Sequence, residues 1–134
     1  MSYKKITTVA AVFAALSMNP DIKPDVSAWP EHWRAHKIIE FDVQMSIDAI
    51  NGKNDDGTQW VAKWGDPTQH KWEVWYDVVD KEDGVSGRGL SLVGVYCGAA
   101  RTTVGPRLVF RSRAHAMHFH EHFLPLNEQY YLDA

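Results

Sequence analysis

The spacing of apolar residues changes along this chain, and the changes predict its elements. An apolar run from Val9 to Leu16 follows Lys4 and Lys5. At helical spacing Val9, Val12, Phe13 and Leu16 share one face, with Thr7 or Thr8 placed to cap the first turn. Two lysines before a short apolar run also describe a secretory leader. The run is at the minimum length for one, so the capped helix is the better reading. Three prolines in "NPDIKPDVSAWP" then mark a connector.

The next stretch carries the strongest periodic signal. Ala35, Ile38, Ile39, Asp42, Val43, Ser46, Ala49 and Ile50 recur at helical spacing, and Phe41, Met45 and Ile47 widen the face enough to predict burial on more than one side. Ser27 is placed to cap this helix, and Pro30 and Glu31 suit its first turn. Asn51-Gly52 is its stop, because glycine tolerates the left-handed conformation that ends helices. From residue 71 to 79 the period falls to two: Trp72, Val74, Tyr76 and Val78 face one way, and Glu73, Trp75 and Asp77 the other. That is a strand with Trp75 on its wetter face.

"DKEDGVSGRG" reads as a turn and "LSLVGVYCGAA" as a second strand, whose glycines mark a bulge or close packing. After a break at "TTVGP", residues 107–110 ("RLVF") predict a short third strand. Ser112 caps a last helix that runs to His122 or Phe123 and stops at Pro125, with one further turn in the tail from Leu126. The order predicts an α+β fold: a small antiparallel sheet of about three strands packed against two or three helices. Residues 1–134 make one domain, 1–26 forming helix and connector and 27–134 the core.

Composition narrows the function. With 45% hydrophobic and 23% charged residues the chain is globular rather than disordered. A net charge of −3 provides no global basic field, so nucleic acid is not a favoured partner. No stretch approaches the ~20 apolar residues of a membrane span, so no membrane role is expected. The single cysteine, Cys97, excludes an intramolecular disulfide. Its small apolar neighbours predict a buried, inert thiol.

The chemistry-bearing residues are histidines and tryptophans. "HAMHFHEHF" (115–123) holds four histidines. On a helix Ala116, Phe119 and Phe123 form the core stripe. His115, His118 and His122 share a separate face within about 60° of one another. That face reads as solvated and could grip a divalent metal through the His118–His122 pair, the sole cofactor candidate. The string is not HExxH. His32 and His36 repeat the i, i+4 spacing beside Arg34 and Lys37, where like charge discourages a cation, so a surface or subunit contact is the expectation. The carboxylates at 54–57 and 80–83 lie in turns, and "GVSGRG" is no phosphate loop because no helix follows it.

Six tryptophans form the other surplus. Two or three are expected to cap the sheet's core. Trp64 and Trp75, with Arg88, are the candidate binding residues.

The ordered motifs "DAIN" (48–51), Trp60 and Trp64, "KWEVWYD" (71–77), "TVGPRLVFRSRAHA" (103–116) and "HFLPLNEQYYL" (122–132) together resemble a group of small uncharacterised proteins of tailed bacteriophages. The resemblance spans residues 28 to 132 and implies a phage origin and a compact α+β fold, with no activity to carry over. The group's pattern lacks the histidines of 115–122, which counts against a shared catalytic role for them. The expectation is a non-enzymatic phage accessory protein acting by protein–protein binding, as an inhibitor of a host or defence protein or a ligand of a phage component. It would work in the host cytoplasm during infection. A virion head or tail subunit, self-association into a homo-oligomer, and a metal site on His115, His118 and His122 are the alternatives.

Overall fold

In a computed structural model, residues 2–98 and 108–132 can be described. A 3₁₀ turn, Tyr3–Lys5, leads into helix α1 (Val9–Ala15), where the Thr8 side chain accepts a hydrogen bond from the Ala11 N–H at 3.1 Å. Val12 and Phe13 are fully buried. The connector is pinned beneath them: Lys23 pairs with Asp42 at 2.8 Å, and its Nζ lies 4.5 Å from the Phe13 ring centroid.

Helix α2 (Glu31–Asn51) begins without a side-chain cap, and Pro30 occupies the cap position. The expected Ser27 cap is not used. The Ser27 N–H bonds to Asp25 Oδ1 at 2.9 Å, and the Ser27 and Trp29 carbonyls accept from Arg34. The Pro30 carbonyl accepts from the Trp33 N–H at 2.9 Å, and the exposed first turn leaves its other N–H groups to water. At the other end Gly52 takes φ 66°, where a side chain would be strained, and donates to the Asp48 carbonyl at 2.9 Å. Glu31 to Ala35 are exposed, whereas Val43, Ser46, Ile47, Ala49 and Ile50 are buried. Ser46 keeps its hydroxyl satisfied by donating to the Asp42 carbonyl at 2.7 Å.

Strands β1 (Lys71–Val85) and β2 (Arg88–Gly98) form an antiparallel hairpin. At its reversal Ser86 and Gly87 have φ of 51° and 77°, the two positive angles that match the twist of paired strands, and residues 81–84 are extra in β1, since Asp80 and Val85 both face Arg88. Between Trp75–Gly94 and Tyr76–Leu92 the register slips, leaving Val93 as an extra residue of β2. Trp72, Val74 and Val95 pack toward the core.

Among the described residues the sheet has two strands, where about three were expected. Phe110 makes one bridge to Trp72, with N···O distances of 2.8 and 3.0 Å, while Arg107 of the expected strand lies outside the described residues. The far side of the 109–111 segment is held by a side chain. Asn51 donates to the Val109 carbonyl at 3.0 Å and accepts from the Arg111 N–H at 2.9 Å. The carboxamide thus stands in for a neighbouring strand.

Helix α3 (Arg113–Leu132) starts at Ser112, which accepts from the His115 N–H at 3.2 Å. Pro125 does not stop it. The break falls at Phe123 (φ −124°, ψ 20°), and Pro125 then sits in the first turn of the continuing segment, where a missing N–H costs nothing. Ala116, Phe119 and Phe123 join Ile6, Val12, Val43, Ile50 and Phe110 in one core. Glu128 ties the end of α3 to the hairpin: its buried carboxylate accepts from the Leu90 N–H at 3.0 Å and from Lys81 at 3.1 Å.

Candidate functional site

The helical period places His115, His118 and His122 on one face of α3, and that face meets the N-terminal turn. His118 is buried, with Nε2 2.7 Å from the Ile6 carbonyl oxygen. A carbonyl can only accept, so Nε2 carries the proton in this bond. The His115 ring stacks on Tyr3 with centroids 4.0 Å apart, and its Nδ1 bonds to Ser112 Oγ. Burial pushes the His115 pKa down to about 4, helped by the nearby Arg111 and His118. His122 alone of the three is exposed, its ring 4.4 Å from that of His118. The expected solvated polar face is therefore a dock for residues 3–6, because the turn before α1 needs a surface against which to bury Ile6. Among the described residues, no three His, Cys, Asp or Glu side chains converge as a metal-holding group.

His120, set apart by the same period, joins the hairpin to the helix. Tyr76 Oη lies 3.0 Å from His120 Nδ1 and accepts from Asn127 Nδ2 at 3.1 Å. The amide donates to the phenol, and the His120 tautomer sets the direction of the phenol–imidazole bond. Burial holds the Tyr76 pKa up at about 12 and lowers that of His120. His36 stacks on Tyr130 within the chain at 5.1 Å, not on a second subunit, while His32 is exposed.

The tryptophans divide differently. Trp60 is buried and Trp72 half-buried. Trp64 is half-buried, with Lys71 Nζ 5.4 Å from its ring, and Lys71 itself is buried, donating to the carbonyls of Gln69 and Asp66 at 3.0 and 3.4 Å. Trp64 and Trp60 line a small hollow with Gln44, Asp48 and Asn51, where burial raises the Asp48 pKa. Trp75 is 55% exposed and meets Tyr96, itself 51% exposed, edge-on at 5.8 Å. Gly94, opposite Trp75, makes room for this pair: a Cβ there would stand 3.0 Å from the Tyr96 ring.

Beside Trp75 runs a groove of about 330 Å³ lined by Glu73, Val74, Tyr76, Val78 and Tyr131. Val78 is 58% and Tyr131 48% exposed.

The three candidate binding residues do not converge. Arg88 lies toward the hairpin turn, paired with Asp80, on the face opposite Trp75, and Trp64 packs on Lys71. Cys97 is exposed, not buried as expected, because β2 has a strand on one side only among the described residues. Tyr96, Val78 and Tyr131 were not predicted. Tyr96 is reachable from sequence only through the register that sets it two pairs from Trp75 and Gly94, on the same face. Trp29 and Trp33 also escaped selection. They are half-exposed at the start of α2, with Lys37 Nζ 4.1 Å from the Trp29 ring and 5.8 Å from that of Trp33.

No family model, curated protein or solved structure matches this chain. Among the described residues, no helix is long and apolar enough to cross a membrane.

Proposed function

We propose that this protein is a non-enzymatic accessory protein of a tailed phage. It acts in the host cytoplasm by binding another protein, either inhibiting a host or defence factor or engaging a phage component. The observation that carries the reading is the exposed Trp75–Tyr96 pair beside the Val78–Tyr131 groove. Large rings left half in water on a rigid hairpin are the side chains that dominate protein interfaces. The acidic balance and the engagement of His115 and His118 in the fold favour this over nucleic-acid or metal chemistry.

The test is capture of the partner from phage-infected host cells by the full chain and by a Trp75→Ala, Tyr96→Ala double variant. The wild-type chain retains a stoichiometric partner and the folded double variant loses it. Equal retention by both would move the binding surface elsewhere.

A further inference from the structure

Resting on that reading of the hairpin, we infer that the outer edge of β1 takes up an extended, basic segment of the partner protein as an added strand. Trp72 gives both its N–H and its C=O to Phe110, so its backbone polar groups point away from β2. The slip at Val93 adds its residue to β2, and the irregularity of β1 begins only after Asp80, so the alternation from Trp72 to Val78 is intact. Val74, Tyr76 and Val78 therefore direct their N–H and C=O groups to the same outer side. The Leu90 N–H fits this phase, since it turns away from its partner Val78 to reach Glu128. Among the described residues, no backbone hydrogen bond from beyond the hairpin reaches Val74, Tyr76 or Val78. Phe110 fills the first place on this edge, and beyond it Val74, Tyr76 and Val78 line the groove together with Leu90 and Tyr131.

Charge selects the occupant. The hairpin's cations are committed internally: Lys71 to carbonyls, Lys81 to Glu128 and Arg88 to Asp80. Glu73 and Asp77 flank Trp75 on one face of β1, and neither forms an ion pair among the described residues. A strand bearing Lys or Arg beside Trp75 would gain both carboxylates and the ring face. A second copy of this chain fits worse. Antiparallel self-pairing centred on Tyr76 sets Glu73 diagonal to the other copy's Asp77. Moving one pair either way sets Glu73 opposite Asp77, or Asp77 opposite Asp77.

The probe is a displayed library of random nonapeptides panned against the full chain. The expected winners alternate apolar residues with Lys or Arg, shift the amide resonances of residues 74–78, and weaken about tenfold or more on Trp75→Ala or on Glu73→Lys with Asp77→Lys. Val78→Pro removes one outward N–H without touching the ladder to β2 and should abolish binding. N-methylation of alternate peptide residues should do the same while leaving the protein unaltered. The inference falls if no peptide is enriched, if the winners are neutral or acidic, or if binding survives both Val78→Pro and N-methylation. A natural partner lost with Trp75→Ala but kept by Val78→Pro would leave the protein-binding reading standing and remove strand addition.

Discussion

In the first half of α3, His118 donates to Ile6 and His115 is stacked on Tyr3, so both imidazoles are engaged in holding the N-terminal turn. On the outer face of the hairpin Trp75 leans on Tyr96, and both rings stay half open to solvent. The histidines look like chemistry and serve as architecture. The tryptophan reads in sequence as the ring on the wetter face of its strand, and it is left over when the core is complete. The difference shows what separates a structural polar cluster from a binding face: whether the polar or aromatic groups already have partners inside the fold. It can be tested by asking whether perturbations at the two places move stability or binding.

The largest effect is expected at the core stripe that carries the histidines. Phe119→Ala should cost about 3–5 kcal/mol in urea denaturation, because the ring is buried between Phe110 and Phe123 and leaves a cavity. A loss below about 1 kcal/mol would mean the stripe is not core. Asn51→Ala comes next. It leaves the Val109 carbonyl and the Arg111 N–H without the carboxamide that serves them, at about 2–3 kcal/mol. His118→Phe keeps ring volume but strips Ile6 of its donor, at about 1–2 kcal/mol. With this variant amide exchange should quicken across residues 3–6. Unchanged exchange there would show that His118 does not hold the turn.

These bonds explain why some of the molecule could be read from its sequence and some could not. The Thr8 cap, the Asn51-Gly52 stop, the alternation of β1 and the stripe of Ala116, Phe119 and Phe123 are set by neighbours within one or two turns, where periodicity is informative. Period tells which side chains share a face and is silent about what covers it. His118 meets Ile6 across 112 residues, and Asn51 meets Val109 and Arg111 across 58 and 60. The third strand is reduced to the Trp72–Phe110 bridge among the described residues, and the far side of 109–111 is served by a carboxamide from α2, a contact on which period is silent. The expected burial of Cys97 failed, since burial of a strand residue depends on a second neighbour that β2 does not have among the described residues.

Acid should also separate the two regions. The His115 pKa is about 4 in the fold, against an ordinary value near 6.5. Between these values the unfolded chain binds more protons, so the stability this residue contributes is complete above pH 6.5 and is lost as pH falls toward 4. His120 shifts in the same direction, whereas the raised pKa of Asp48 works the opposite way. The slope from His115 is therefore read by difference. His115→Gln should flatten stability between pH 6.5 and 4 relative to wild type, and an identical slope in both proteins would exclude His115 as its source. The Trp75 face carries no histidine, so His115→Gln should leave partner binding at fixed folded concentration as it is in wild type.

The smallest effect on stability is expected where the largest effect on binding is. Trp75 is 55% exposed, and the contact it would lose is one edge-on approach to Tyr96 at 5.8 Å. Trp75→Ala should stay within about 0.5–1 kcal/mol of wild type, the range of an exposed side chain with one aromatic neighbour. Tyr96→Ala should behave the same, and the double variant should add no penalty beyond the shared contact. A cost above about 2 kcal/mol would mean that the ring is holding the hairpin together. Trp75 would then belong with the histidines, as architecture, and the binding face would lose its central residue.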